Sequence, residues 1–146
     1  MYRIPRYHVE LVREKSYTAP VKIINRPRDV YTLLQPAVVS LSIEKFCTVL
    51  LDTKYNVIGI SVVSSGILNA AVVHPREVFQ RALMSNSAAI ILVHNHPSGD
   101  VTPSQEDIDL TKKLVKCGKI MQIDVLDHII LSCENYKSLK EANLLD

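Results

Sequence analysis

Residues 94–107 read His94-Asn-His-Pro-Ser-Gly-Asp-Val-Thr-Pro-Ser-Gln-Glu-Asp107, a run that sets two imidazoles two positions apart and, after ten intervening residues, a carboxylate. On a strand, residues i and i+2 point to the same face, so His94 and His96 at a strand end would present both rings to one point in space. A third ligand can come from the first turn of a following helix, where Asp107 lies five residues beyond a capping Thr102, because so short a loop must fold back beside its strand. Two histidines and one carboxylate are the ligand set of a catalytic zinc that leaves its fourth position to water. Water held there ionises near neutral pH and becomes a hydroxide nucleophile. Taken singly these residues carry little: a His-x-His often only hydrogen-bonds a loop, and Ser104-x-x-Asp107 also reads as a helix-capping pair favoured by the macrodipole. Their combination at one βα junction, where α/β sheets place ligands, is what points to a site.

The apolar pattern supplies the elements that must position this run. Residues 88–94 form a continuous apolar stretch, the signature of a strand buried on both faces. After the Pro-Ser-Gly loop, Thr102 as cap, Pro103 as first helical residue and Gln105 at the third position predict a helix start. Its stripe continues through Ile108, Thr111, Leu114 and Val115, and Gly118 suits the left-handed position that ends a helix. Upstream, Tyr7, Val9 and Leu11 alternate with polar residues and suggest a strand, and residues 17–25 are extended or looped around Pro20. Residues 27–35 carry helical spacing that Pro36 should stop. Residues 46–51 and 57–63 flank the turn chemistry of Asp52 to Asn56 and predict a β-hairpin. Pro75 opens a helix that ends near Ser85 and Asn86. Residues 120–126 and 129–131 resume strand character, and residues 136–144 suggest a short terminal helix. The order βαββαβαβ implies an α/β sandwich with a mixed sheet.

Composition narrows the class. A chain of 146 residues that is 47% hydrophobic can bury roughly two-thirds of its unfolded surface, so it needs neither disulfides nor a structural metal to fold. Cys47, Cys117 and Cys133 are odd in number and form no CxxC, which reads as reduced, mostly buried thiols of a cytoplasmic protein. The N-terminal residues lack the apolar core of a signal peptide, and no apolar run reaches the ~20 residues of a membrane span. The net charge of +2 conceals an asymmetry, since residues 1–28 hold seven basic and two acidic side chains. Such a basic arm offers a contact to DNA phosphates, though most charge runs of this kind are solvated edges.

The run from His94 to Asp107 resembles the metal motif of the JAB/MPN (JAMM) metallopeptidase superfamily, in which a Glu precedes His-x-His, ten residues and Asp. The strings Leu68-Asn-Ala-Ala-Val-Val-His-Pro-Arg-Glu-Val-Phe79, Ala88-Ala-Ile-Ile-Leu-Val-His-Asn-His-Pro-Ser-Gly99 and Leu126-Asp-His-Ile-Ile130 are similar, more narrowly, to the RadC family, over about residues 28–142. The resemblance implies a three-layer α/β/α sandwich of the JAB/MPN, cytidine-deaminase-like type, with residues 1–27 as a basic arm or strand and residues 28–146 as the domain. It implies zinc held by His94, His96 and Asp107, with Ser104 assisting the oxyanion of a tetrahedral intermediate. It also implies a Glu from an earlier strand as general base, and Glu44 aligns by context, a choice that sequence spacing alone does not make. Glu77 falls in a first helical turn, and Glu106 should point away from its neighbour Asp107. His74 reads as a helix-cap residue, and His128 as a partner of Asp127 supporting the metal ligands or as a satisfied strand residue. Neither H-E-x-x-H nor the P-C-x-x-C of nucleobase deaminases is present.

Two function classes follow. One is a zinc hydrolase acting on peptide or isopeptide bonds in a protein substrate. The other is a DNA-repair-associated accessory module that binds nucleic acid, a role attached to the RadC name, with a non-catalytic JAB scaffold ranked behind both. In the family pattern a helix-hairpin-helix region precedes the JAB domain, and residues 1–27 read only as a short basic arm, which weighs against an expectation of direct DNA binding.

Overall fold

The computed structural model describes residues 1–38, 42–66 and 73–146. Residues 68–72, part of the family-like string noted above, lie outside that set. Eight elements follow in order: α1 (Pro27–Val38), β1 (Lys45–Leu51), β2 (Val57–Ser65), α2 (Pro75–Met84), β3 (Ala89–Asn95), α3 (Gln105–Met121), β4 (Asp124–Leu131) and β5 (Tyr136–Ser138). The strands form one mixed sheet in the order β2-β1-β3-β4-β5, in which only the β3–β4 pair is parallel. That pair is joined by α3, the crossover a parallel connection requires.

Period-two alternation sorts the core into two layers. Ile90 and Leu92 of β3, with Phe46 and Leu50 of β1, pack against Val78, Phe79 and Ala82 of α2 and Leu110, Leu114 and Val115 of α3. Ala89, Ile91 and Val93 point the other way, with Val49 and Leu51, against Val30, Leu33 and Leu34 of α1. The result is the expected α/β/α sandwich with a mixed sheet.

One irregularity matters for the site. The β3–β4 register slips between Ile90 and Ile91, leaving Leu126 without an opposite residue. Val125 joins the α2/α3 layer, yet Ile129 and Leu131 join the α1 layer. A single extra residue flips every later side chain to the other face. The slip therefore turns His128 toward α3 and beside His94.

Several local expectations need correction. Residues 1–20 form no strand: Tyr7, Val9 and Leu11 are exposed and no sheet edge pairs with them. Alternation defines a face, but only a partner makes a strand. Helix α1 continues past Pro36, which lies in the last turn with its ring exposed, so the missing N–H forfeits a single bond. The α3 cap is Ser104 rather than Thr102, whose N–H is instead taken by Asp100 Oδ1 at 2.9 Å. Gly118 lies inside α3, and Gln122 (φ 57°) takes the left-handed terminal position. Gly118 answers a packing demand, since a Cβ there would stand 2.5 Å from the Ile123 carbonyl oxygen. As α3 runs to Met121, β4 begins at Asp124 rather than residue 120. The terminal helix is absent because Asp127 captures the Ser138 hydroxyl (2.5 Å) and the Lys140 N–H (3.0 Å), drawing residues 136–138 onto β4 as a strand. Among the thiols, Cys47 and Cys117 are half-buried and Cys133 is exposed. Among the described residues no helix is long and apolar enough to cross a membrane.

Candidate metal centre

His94, the sixth residue of β3, lies opposite Phe46 on β1 and Ile130 on β4, and its side chain continues the row of Ile90 and Leu92. It is 3% exposed, with the Phe46 ring stacked 6.1 Å away. The N–H of His96 donates to the Leu131 carbonyl (2.8 Å), extending the strand course past Asn95 and aiming the second imidazole the same way. The chain then turns sharply, with the Gly99 N–H donating to the His96 carbonyl (3.1 Å). Gly99 sits at φ +89°, a conformation that side chains rarely adopt. The same turn brings the Asp100 carbonyl within 2.6 Å of His96 Nδ1.

Asp107 arrives by helix capping. Ser104 Oγ accepts the Asp107 N–H (3.1 Å) while Asp107 Oδ2 accepts the Ser104 N–H (2.8 Å), a reciprocal capping box. The bland reading of this pair is thus realised, and it is also what aims the carboxylate. Asp107 Oδ1 stands 3.4 Å from His94 Nε2, and Oδ2 stands 3.7 Å from His96 Nε2. One ligand atom from each of the three residues falls within 4.8 Å of the others.

Hydrogen-bond direction tests whether this trio suits a metal. A carbonyl can only accept, so His96 Nδ1 must donate to Asp100, which leaves Nε2 as the ring nitrogen that can offer a lone pair. His94 Nδ1 is engaged by His128 Nε2 at 2.7 Å, so the Nε2 of His94 is likewise turned inward. The two Nε2 atoms are 2.8 Å apart with a carboxylate beside them. Such a cluster of acceptors is stable only with a cation among them, a shared proton or a metal ion. Imidazole nitrogens plus one carboxylate oxygen match the donor set of catalytic zinc.

Electrostatics favour ligation. Burial lowers the pKa of His94 to about 4, and nearby His96 adds to the effect, while Asp107 opposes it. His128, fully buried, is driven well below the ordinary range by the same desolvation and by both other imidazoles. Asp100 is held below the usual carboxylate range by its bonds to Thr102. A histidine must be neutral to bind a metal, so the buried setting of His94 keeps it ready.

The trio opens onto a cleft of about 290 Å³ that Glu44, Phe46, Ser98, Ser104 and Leu110 also line. Glu44 precedes β1, and its backbone is fixed by three bonds. The Asn95 side chain accepts from Lys45 N–H (2.7 Å) and donates to the Ile43 carbonyl (3.0 Å), and the Glu44 carbonyl accepts from Gly66 N–H (2.9 Å). The middle residue of His-x-His thus braces the wall opposite the histidines. Glu106, expected to point away, lines the cleft as well from its exposed side. Glu77 lies in the first turn of α2, and His74 occupies the N-cap position there without a side-chain bond. Sequence reasoning did not assign Thr111 to the site and left His128 between two structural readings. The available signal was a polar residue on the apolar stripe of α3, one turn beyond Asp107.

Comparison with known proteins agrees with this geometry. The model of the RadC-like JAB domain matches residues 24–144. The chain belongs to the RadC family. It is 55% identical to a UPF0758 protein of Methanosarcina mazei over 138 residues, covering 93% of this chain and 60% of the relative. A UPF0758 protein of Moorella thermoacetica is 51% identical over 133 residues (91% and 58%), and one of Desulfitobacterium hafniense 48% identical over 139 (94% and 61%). The chain spans about three fifths of the length of these curated relatives. In this RadC-like domain the matched segment contains all of the cleft's metal-type residues.

Proposed function

We propose that the domain is a zinc-dependent hydrolase that cleaves peptide or isopeptide bonds, working as residues 28–146 with residues 1–27 as an appended arm, in the cytoplasm. The observation that carries this reading is the convergence of His94 Nε2, His96 Nε2 and the Asp107 carboxylate at a cleft that also holds Glu44 and Ser104. His94, His96 and Asp107 would hold the zinc, which supplies a Lewis acid and a water of lowered pKa. Glu44 accepts a proton from the attacking water and returns it to the amide nitrogen as the C–N bond breaks. The Ser104 oxygen already accepts the Asp107 N–H, so its own proton is left to donate toward the developing oxyanion. Phe46 and Leu110 give the cleft apolar walls that strengthen these interactions.

The test is hydrolysis of amide- and isopeptide-linked substrates by the zinc-loaded protein. Glu44→Gln should retain zinc and lose turnover; retained turnover would remove Glu44 from its role. A DNA-binding role for the arm rests on one observation, that residues 1–20 are exposed and outside the sheet. Deleting residues 1–15 should abolish salt-dependent DNA binding if that role holds, and absence of binding at low salt would end it.

A further inference from the structure

We propose that Thr111 and His128 are positioning residues that lock His94 into its Nδ1–H tautomer, leaving Nε2 as the lone pair that faces Asp107 and His96. This rests on the metal reading for its consequence, though not for the tautomer itself. Four contacts form an unbroken series. The Thr111 hydroxyl lies 2.6 Å from the backbone carbonyl of Asp107 and 2.6 Å from His128 Nδ1. His128 Nε2 lies 2.7 Å from His94 Nδ1, and His94 Nε2 faces the carboxylate of Asp107 at 3.4 Å. The series leaves Asp107 through its main chain and returns to its carboxylate through His94.

Direction in this series is imposed at one end. The Asp107 carbonyl cannot donate, so the single Thr111 proton goes to it. Thr111 Oγ1 must then accept from His128, which places the His128 proton on Nδ1. A neutral imidazole carries one such proton, so His128 Nε2 accepts, and His94 must donate from Nδ1. Nothing remains on His94 Nε2. Reversing the series would set two oxygens 2.6 Å apart with no proton between them.

The placement is specific. His128 and Thr111 are both fully buried, His128 is turned to this face by the β4 register slip, and Phe46 meets its ring edge-on at 5.5 Å. An aliphatic pair would fill the same volume without an unmet polar group. Partners of this kind fix the orientation and tautomer of ligating histidines, and their loss weakens metal binding about 10- to 100-fold.

The experiment is long-range ¹H–¹⁵N correlation of the imidazoles in the full, metal-free chain, followed by zinc titration against a competing chelator. Expected are a proton on Nδ1 of both His94 and His128 and a bare Nε2 on His128, with any proton that the metal-free cluster holds shared between the Nε2 atoms of His94 and His96. Thr111→Val, which takes away the acceptor for His128, should weaken zinc binding about 10- to 100-fold, and Thr111→Ser should restore it. A His94 ring with no proton on Nδ1, or a proton on Nε2 of His128, in the wild type overturns the proposal, as does a folded Thr111→Val variant that binds zinc like the wild type. The wild-type spectrum decides the tautomer even if Thr111→Val does not fold. Correct tautomers in a wild type that binds no zinc would refute the hydrolase reading while upholding the tautomer assignment.

Discussion

Asp107 does two jobs with two oxygens, and two substitutions separate them. Oδ2 accepts the Ser104 N–H at 2.8 Å, whereas Oδ1 faces His94 Nε2 at 3.4 Å. In Asp107→Asn the amide oxygen can keep the capping bond while the NH₂ donates to the imidazole lone pairs. That new bond is worth about 1 kcal/mol, and the lost charge at the helix N-terminus costs about 0.3–1 kcal/mol. Net stability of the metal-free protein should therefore change by less than about 1 kcal/mol. Zinc binding should nevertheless collapse, because the only anionic ligand of the trio is gone. Ser104→Ala does the reverse. It deletes the oxygen that accepts the Asp107 N–H, costing about 1 kcal/mol, or about 3 °C of melting temperature for a domain of this size, while the three ligands persist. Differential scanning calorimetry of the metal-free variants and zinc titration of each supply the two axes. If Asp107→Asn melts several degrees low and still binds zinc, the assignment of the carboxylate to a metal is wrong.

Other consequences can be tested alongside. Gly118→Ala places a methyl 2.5 Å from a backbone oxygen and 3.1 Å from Val125 Cγ2; overpacking of about 1–3 kcal/mol outweighs the helix-propensity gain of about 1 kcal/mol, so thermal melting should fall by a few degrees, and a rise would mean the terminal turn gives way freely. Asn95→Ala removes two bonds that brace the backbone around Glu44; zinc content should hold while turnover drops, and unchanged turnover would show that Glu44 needs no brace. The pH dependence has a definite sign. Burial lowers the folded-state pKa of His94 from 6.5 to about 4 and that of His128 in the same direction. The unfolded chain therefore binds more protons in that interval, so their contribution is complete above pH 6.5 and is lost as pH falls toward 4. Melting temperatures of the metal-free protein should decline from pH 7 to pH 5, and a flat profile would contradict the buried, neutral histidines.

The parts legible in the sequence were those set by local pattern. Continuous apolar runs gave β1 and β3, Pro75 gave the start of α2, and the i, i+2 spacing of His94 and His96 gave two converging imidazoles. What escaped depends on contacts between distant residues. The pull of Asp127 on Ser138 and Lys140 decides that residues 136–138 form a strand, and no periodicity there announces it. The α3 cap lies two residues later than expected because Asp100 takes the Thr102 N–H while Ser104 takes the Asp107 N–H. The slip at Leu126 reverses the facing of β4, which is why the sequence pairs His128 with Asp127 rather than with His94 and Thr111. Glu44 was selected by family context, and the brace from Asn95 crosses from β3 to β1, beyond the reach of spacing arguments.

The central claim is that His94, His96 and Asp107 hold one zinc ion. The most direct measurement is the metal content of wild type and His96→Ala after identical zinc exposure and desalting. The account predicts about one zinc per wild-type chain and near-complete loss in a variant that retains its fold. A folded wild type that keeps no zinc, or a His96→Ala variant that keeps as much as wild type, would contradict it.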